Sequence, residues 1–518
     1  MQKYTVLREL LAFGADDAVA LAAPSAKPLT YAALRKLVGD GRNSLRALGI
    51  GSQDRVAIVL PNGPEMAAAF LCVAANAASA PLNPNYKADE FEFYLSDLGA
   101  KLLIVEKGST SPAIDAAKKL GVKLAMLTPN PDSGAGGFEL EGSGSGGGGP
   151  PPPPPPPDYG YAGPEDVALV LHTSGTTSRP KIVPLSQKNL CASGWNIAQT
   201  LNLTPSDRCL SIMPMFHIHG LIATVLASVA AGGSVFCTPG FNAFNFFNWL
   251  TEAKPTWYSA VPTMHQTILS RAGKNEAAIR ANPLRFIRSS SASLPRQVLS
   301  ELESVFGAPV IESYGMPEAC HQMASNLLPP GARKPGKVGV AAGPELGIMD
   351  EAGELLPAGA TGEVVIRGDN VTAGYENNAK ANAEAFAHGW FHTGDQGVLD
   401  EDGYLTITGR LKEIINRGGE KVSPAEVDDV LMDHPAVQQA LTFAAPHAKL
   451  GEEVAAAVVL REGASVTERA LRDFVASRLA DFKVPRKVVF LPEIPKGATG
   501  KLQRIGLAQK LGLTGDGA

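Results

Sequence analysis

The sequence predicts an α/β protein with a large N-terminal domain and a small α+β C-terminal domain. First, 518 residues are too many for one compact core, so two or more domains are expected. Second, the first half alternates short apolar runs with helical patterns, which is typical of βαβ units in sheets packed with helices. Third, from about Gly347 hairpins with acidic, glycine-containing turns predict a small β-barrel-like part.

The first elements are assigned from the spacing of apolar residues. Residues 55–60 (RVAIVL) and 101–106 (KLLIVE) are candidates for buried strands, and residues 65–78 between them have the pattern of a helix. Further strand candidates that share this apolar character lie at residues 167–173, 208–214, 255–262, 284–295 and 309–315.

Two features divide the chain. Residues 142–157 read GSGSGGGGPPPPPPPP, and this composition predicts a solvated surface insertion with no core of its own. Further on, Ser423, Pro424 and Glu426 form the pattern of a capping box with proline at the first helical position. We therefore place a boundary near Gly409, which gives an N-terminal domain of residues 1–409 and a C-terminal domain of residues 410–518.

Composition excludes several classes of function. A net charge of −5 at pH 7 argues against a nucleic-acid partner, which requires a basic surface. No apolar run is long enough for a membrane span, and residues 1–16 lack a secretory apolar core. Five cysteines without a C-x-x-C pair, and a C-terminus that is not the peroxisomal tripeptide, favour a cytoplasmic location.

A hydroxyl-rich stretch follows the apolar run at residues 167–171. Thr173, Ser174, Gly175, Thr176 and Thr177 come directly after it, and Lys181 follows shortly. Backbone amides, hydroxyls and a lysine at the end of a strand suit a phosphate, and glycine allows close backbone approach. The spacing is not that of a Walker A loop. From these residues alone, a Ser/Thr-rich turn is an equally good interpretation.

Four further motifs follow in the order ESYGMPEA, HTGD, GRLKEIINRGGEKVSP and PKGATGKLQR. Together with the hydroxyl-rich stretch they extend from Thr173 to Arg504, and this set resembles the adenylate-forming (AMP-binding) superfamily of acyl-CoA synthetases. The resemblance is closest to the oxalate–CoA ligase branch. It implies that the enzyme uses ATP and Mg²⁺ to activate a carboxylic acid as an acyl-adenylate, and then transfers the acyl group to CoA.

The resemblance also assigns roles to individual residues. Lys501 is the catalytic lysine that bridges the acid and the α-phosphate, Glu318 and Thr176 hold the metal, and Lys412 is the hinge of a mobile C-terminal domain. The nucleotide and CoA ligands are Thr173, Ser174, Gly175, Thr176, Thr177, Lys181, Ser313, Tyr314, Gly315, Asp395, Arg410, Gly418 and Gly419. Ordinary structural roles are the alternative: Tyr314 as a packing residue, Asp395 as a turn residue, and both lysines as solvated surface groups.

The acyl pocket of this family lies among loops that are rich in histidine and serine here. They carry the candidate substrate ligands His217, His219, Ser289, Ser291 and His321, and we assign His217 a catalytic role as well. A small diacid keeps one buried carboxylate after the other is activated, and that charge requires donors or a cation. A 4-coumarate-like or medium-chain acid would instead require an apolar lining, and some of these histidines could simply be packed.

Two residues depart from the family pattern. Pro317 stands where the family has a threonine whose hydroxyl contacts the α-phosphate, and proline supplies neither a hydroxyl nor an N–H. Ile182 stands where the family has a glycine, and a β-branched residue would be strained at a positive φ. These departures raise a third hypothesis, in which the chain is a weakly active or inactive nucleotide-binding homologue.

Overall fold

The computed structural model describes residues 4–142, 161–173, 180–495 and 502–513. The strands of the first range are β1 (Val19–Ala22), β2 (Leu29–Thr30), β3 (Arg55–Val59), β4 (Ala78–Pro81), β5 (Leu102–Glu106), β6 (Lys123–Pro129) and β7 (Phe138–Gly142). Its helices are α1 (Leu7–Leu11), α2 (Tyr31–Ala47), α3 (Pro64–Ala74), α4 (Ala88–Leu98) and α5 (Ala113–Leu120), with a 3-10 turn at Pro131–Ser133.

The middle of the chain continues the alternation. Its strands are β8 (Val167–Thr173), β9 (Lys181–Ser186), β10 (Arg208–Ser211), β11 (Ser234–Cys237), β12 (Trp257–Ala260), β13 (Phe286–Ser289), β14 (Val310–Met316), β15 (His321–Ser325) and β16 (Val340–Ala341). Its helices are α6 (Gln187–Thr200), α7 (Ala227–Ala230), α8 (Phe246–Ala253), α9 (Pro262–Ala272), α10 (Glu276–Ala281) and α11 (Arg296–Phe306), with a π-helix at His219–Leu226 and a 3-10 turn at Pro317–Ala319.

The remaining elements are mostly antiparallel. The strands are β17 (Glu345–Met349), β18 (Thr361–Arg367), β19 (Phe391–Leu399), β20 (Leu405–Arg410), β21 (Ile415–Arg417), β22 (Glu420–Val422), β23 (Val437–His447), β24 (Gly451–Leu460) and β25 (Lys487–Phe490). The helices are α12 (Ala379–Ala385), α13 (Pro424–Met432), α14 (Glu468–Ala476) and α15 (Leu507–Lys510), with 3-10 turns at Ala387–Gly389 and Asp481–Lys483.

Two large, mainly parallel sheets form the N-terminal domain, as the sequence predicts. One has the order β7-β6-β5-β3-β4-β8-β9, with antiparallel strands at its two edges. The other has the order β16-β15-β14-β13-β12-β10-β11-β1-β2, and its six central strands are parallel. Side chains of α2, α3, α6 and the π-helix pack with both sheets in one buried cluster. The carboxyl ends of parallel strands are where α/β sheets bind ligands, so β8 and β14 are the strands of interest.

The predicted β-barrel-like part is present as an open sheet and not as a closed barrel. Strands β17 to β20 make a four-stranded antiparallel sheet, and no barrel closes among the residues that the structure describes. An isolated β-bridge between Gly339 and Leu405 joins this sheet to the segment just before β16. Four strands are too few to close a barrel around packed side chains, so the sheet stays open.

The smaller C-terminal domain is α+β, as predicted, with β22-β21-β24-β23 in one sheet and β25 beside β24. Helix α13 begins where the capping pattern predicts, and Ser423 Oγ accepts a hydrogen bond from the Glu426 amide at 3.3 Å. The reciprocal half of the box is replaced by a salt bridge. The Glu426 carboxylate accepts hydrogen bonds from the Lys483 ammonium at 2.7 and 2.8 Å, because a charged donor is a stronger partner than a backbone amide.

Within these same ranges, no helix combines the length and the apolar character that a membrane crossing requires.

Candidate active site

The predicted adenine and ribose residues meet at the carboxyl end of β14. The Tyr314 hydroxyl donates a hydrogen bond to Asp395, and Arg410 Nε lies 3.1 Å from Asp395 Oδ1. Asp395 and Arg410 face each other in the register of β19 and β20, so the pair is fixed by strand pairing. Burial and the neighbouring Asp395 raise the pKa of Tyr314 well above its ordinary value, which keeps the phenol a donor.

A steric constraint explains why residue 315, in the same motif, is glycine. A Cβ on Gly315 would lie 1.8 Å from the carbonyl oxygen of His321, so a side chain cannot be accommodated between β14 and β15. Ser313, two residues earlier, is buried, and its hydroxyl donates to the Ser289 carbonyl at 3.4 Å. The strand pair therefore brings the adenine motif beside the serine-rich strand end of β13.

Glu318 is the best candidate for a metal ligand. Its side chain is 6% exposed, and Oε1 accepts a hydrogen bond from the Tyr375 hydroxyl at 2.9 Å. Burial raises the pKa of Glu318, while Tyr375, Arg410 and Lys181 oppose the rise. In the described part of the chain no group of three or more acidic, His or Cys side chains could enclose an ion. One carboxylate fits Mg²⁺ that takes its other oxygen ligands from water and phosphates.

Lys181 contacts the same tyrosine that donates to Glu318. Its ammonium is 4.2 Å from the centroid of the Tyr375 ring, within cation–π distance. The segment that carries Tyr375 is tied to the site by backbone hydrogen bonds, from Thr372 N to the Glu318 carbonyl at 2.7 Å and from Glu376 N to the Ile182 carbonyl at 3.1 Å. Sequence reasoning missed Tyr375, because a lone aromatic residue in VTAGYENN carries no signal of its own.

Several predicted residues cannot be located. Ser174, Gly175, Thr176, Thr177 and Lys501 lie outside the described residues, as does nearly all of the insertion at 142–157. The flanking pair is in place, since Thr173 and Lys181 face each other across β8 and β9.

The two departures from the family pattern have different outcomes. The strain expected at Ile182 is absent: the residue lies in β9, is not among the residues with positive φ, and packs in the cluster beside β8. The expectation failed because a β-branched residue suits a regular strand. Pro317 begins the short 3-10 turn that leads to Glu318, a position where proline's fixed φ is acceptable.

The candidate acyl residues include a largely buried polar cluster. His219 Nδ1 is 3.0 Å from Ser291 Oγ, and its ring centroid is 5.1 Å from that of His321. Both histidines are buried, and Ser291 holds a φ of +74°, which is rare for a residue with a side chain and typical of functional sites. His217 is half-buried with its ring against Phe216, and Ser289 is buried at the end of β13.

Three neighbours of this cluster escaped the sequence analysis. Ser259 Oγ is 2.7 Å from His219 Nε2, and Arg288 reaches both Ser259 and Gln322. Arg288, inside the apolar run LRFIRS, is the signal that could have drawn attention to this strand. Charged residues are almost never fully buried without a partner.

The predicted hinge and CoA residues lie where the C-terminal domain begins. Lys412 is exposed in the turn after β20. Gly418 and Gly419 form the turn between β21 and β22, and their φ values of +59° and +102° explain why both are glycine. The chain after residue 501 is anchored nearby by Arg504, whose guanidinium pairs with Asp428 at 2.7 Å and Glu413 at 3.4 Å.

The chain is similar to known proteins over most of its length. An oxalate–CoA ligase of Arabidopsis thaliana is 46% identical over 93% of this chain and 93% of that protein. An oxalate–CoA ligase of Saccharomyces cerevisiae is 42% identical over 96% of this chain and 95% of its own. The structure of ATP-bound MatB from Rhodopseudomonas palustris superposes with a TM-score of 0.86 at 29% identity and covers 98% of both chains.

Two family models match in succession. The model of the AMP-binding enzyme matches residues 12–376, and the model of the AMP-binding enzyme C-terminal domain matches residues 426–501. The first covers more than half of the chain and includes Tyr314, Glu318 and Tyr375. The chain belongs to the AMP-binding enzyme family.

Proposed function

We propose that this protein is an ATP-dependent acid–thiol ligase that converts oxalate to oxalyl-CoA through an oxalyl-adenylate. The observation that carries the choice of acid is the polar cluster of buried His219 and His321 with half-buried Ser291. An apolar acid gains its affinity from buried area and has no use for buried polar donors. A small diacid needs them, because its second carboxylate stays charged inside the protein. The two oxalate–CoA ligases similar to this chain support the same assignment.

The nucleotide is held by the residues that meet at β14. A carboxylate has about four lone-pair sites, so Asp395 can accept from Tyr314 and Arg410 and still accept from ribose hydroxyls. Arg410 stays cationic: burial lowers its pKa, but Asp395, Glu413 and other anionic groups outweigh this and raise it. Lys181 and the hydroxyl-rich stretch that begins at Thr173 supply donors for the phosphates.

The first half-reaction joins two anions, so its barrier is electrostatic. Mg²⁺ on Glu318 and Thr176 would neutralise phosphate charge when ATP is bound. Lys501 supplies the fixed cation that stabilises the negative charge built up as the acid attacks the α-phosphate. In this proposal His217 lies beside the reacting carboxylate, Ser289, Ser291 and His321 hold the other, and His219 acts through its contact with Ser291.

In the second half-reaction the thiol of CoA attacks the acyl carbonyl of the adenylate and AMP leaves, so the thiol must enter the space that Lys501 occupies during adenylation. We place the domain boundary after residue 409, with residues 410–518 as a unit that rotates about Lys412. Gly418 and Gly419 then face the CoA channel, where the absence of side chains leaves room for the pantetheine arm. The five cysteines are buried and free, which suits a reducing compartment, and we place the enzyme in the cytoplasm.

Pyrophosphate release tests this function. Purified protein is given ATP and Mg²⁺ with oxalate, 4-coumarate, hexanoate or malonate, each with and without CoA, and the thioester is identified by mass. We expect pyrophosphate release with oxalate. Oxalyl-CoA should form only when CoA is present. Release with 4-coumarate or hexanoate but not oxalate would overturn the choice of acid. No release with any acid would support the inactive nucleotide-binding homologue.

A further inference from the structure

Arg288 is a buried cation without an acidic partner in the described ranges. It lies at the end of β13, its side chain is 0% exposed, and it takes part in no ion pair there. Nη2 donates to Gln322 Oε1 at 3.2 Å, Nη1 reaches Ser259 Oγ at 3.5 Å, and Nε has no hydrogen-bond partner. Burial lowers the pKa of Arg288 to about 9, so the guanidinium is still charged at neutral pH.

A buried charge of this kind is costly. Removing a guanidinium from water is compensated only by an opposite charge or by a full set of acceptors. Neither is present among the residues around Arg288, where Cys209 is a neutral thiol at neutral pH because burial raises its pKa. An anion brought by a ligand would supply the missing charge, and the cluster of His219 and Ser291 is the neighbouring site that could receive one.

The hydrogen bonds between Arg288 and this cluster have a defined direction. A guanidinium only donates, so Ser259 Oγ accepts from Arg288 and its own proton is available to His219 Nε2, 2.7 Å away. His219 then carries its proton on Nδ1 and donates to Ser291 Oγ at 3.0 Å. The Ser291 hydroxyl, which is already an acceptor in this bond, has its own proton left to donate.

We propose that Arg288 is a positioning residue which, through Ser259 and His219, makes Ser291 a hydrogen-bond donor to the substrate's second carboxylate. This inference rests on the proposed function and deepens it, since it names the part of the acid that the site recognises. These four residues, Arg288, Ser259, His219 and Ser291, form a series of hydrogen bonds. Each group in the series donates towards the substrate, and the series begins at a positive charge. The 3.0 Å contact with His219 Nδ1 holds the Ser291 oxygen, and its backbone has the unusual φ of +74°.

The substrate test uses oxalate and oxamate, in which a neutral amide replaces one carboxylate at nearly the same size. Arg288→Met is expected to lower kcat/KM for oxalate about 10- to 100-fold, mainly through KM, and to leave KM for ATP unchanged. The loss with oxamate should be much smaller. Arg288→Lys should restore part of the preference for oxalate, and Ser259→Ala, which keeps the cation but breaks the series, should reproduce the loss. Equal losses with both acids would overturn the proposal.

A second measurement does not depend on turnover of oxalate. The ¹⁵N shifts of the His219 ring, identified by their loss in His219→Gln, report which nitrogen carries the proton. We expect the Nδ1–H form in wild-type protein and a mixture of tautomers in Ser259→Ala and Arg288→Met. The Nε2–H form in wild-type protein would overturn the series. If wild-type protein does not use oxalate but His219 shows the Nδ1–H form, the proposed substrate fails and the series stands. Should Arg288→Met not fold, Ser259→Ala gives both measurements.

Discussion

The Tyr375 hydroxyl donates a hydrogen bond of 2.9 Å to Glu318, and the ring of the same tyrosine lies 4.2 Å from the Lys181 ammonium. One side chain thus holds the candidate metal ligand with its polar end and a candidate phosphate ligand with its face.

Removing only the Tyr375 hydroxyl should weaken the binding of Mg²⁺. Tyr375 lowers the pKa of Glu318 against the rise caused by burial, so Tyr375→Phe should raise this pKa further and leave less carboxylate at a given pH. We expect the apparent affinity for Mg²⁺ in the pyrophosphate assay to fall about 10-fold. The acidic limb of the rate profile should move to higher pH.

Tyr375→Leu, which also removes the ring beneath Lys181, is the companion variant. It should raise KM for ATP in addition, because Lys181 loses its cation–π contact. Identical Mg²⁺ titrations for wild-type protein and Tyr375→Phe would show that the hydrogen bond does not serve the metal.

Pro317→Thr tests the departure next to Glu318. If the α-phosphate lacks a donor, the new hydroxyl should raise the rate of adenylate formation about 10-fold, measured as single-turnover pyrophosphate release. Pro317→Val is the matched control, since it removes the ring and adds the same branched shape without the hydroxyl. Equal rates in the threonine and valine variants would show that another group already contacts this oxygen.

Lys501→Ala should separate the two half-reactions. We expect adenylate formation to fall by at least about 100-fold, because the cation that offsets the developing charge is lost. Transfer from a supplied oxalyl-adenylate to CoA should remain close to the wild-type rate. Lys510→Ala, an exposed lysine of α15, is the control for a change of charge in the same domain. Loss of both half-reactions to the same extent would contradict rotation about Lys412.

Glu312 should make stability depend on pH. Burial raises its pKa to about 8, Asp429 adds to the rise, and the Gly336 amide and Arg296 oppose it. The folded protein therefore binds a proton that the unfolded chain has released, between the unfolded value near 4.5 and the folded value. Over this interval the free energy of unfolding should fall as pH rises, by at most roughly 1.4 kcal/mol per pH unit.

Glu312→Gln should remove this slope, and urea denaturation between about pH 5 and pH 8 measures it. The exposed Glu301→Gln is the control and should leave the slope unchanged. A constant difference between Glu312→Gln and wild-type protein at every pH would show that the carboxyl titrates normally.

The sequence predicts the parts of this molecule that depend on local pattern. Alternating apolar runs and helical patterns are enough to predict parallel sheets, and the family resemblance of the motifs brings Tyr314 and Asp395 into one prediction. The hairpin patterns predict a β-barrel-like part, but they do not encode how many strands pair or whether the edge strands meet, and the structure has an open four-stranded sheet.

Residues that matter only through tertiary contacts were missed. Tyr375 is far from Glu318 and Lys181 in the sequence, and only the backbone hydrogen bonds of residues 372–376 bring it between them. Arg288 and Ser259 lie on adjacent parallel strands, and their register is set by the sheet and not by any motif. The strain assigned to Ile182 failed for a related reason, since its backbone conformation follows from pairing with His172.

All five cysteines are buried, and burial raises the pKa of each of these thiols. Thiolates are the reactive form, so the folded chain should be inert to a disulfide-based colour reagent while free CoA reacts at once. The reagent can therefore follow consumption of CoA without background from the enzyme. When the chain unfolds, five further equivalents become available, so a single dye records both turnover and the integrity of the preparation.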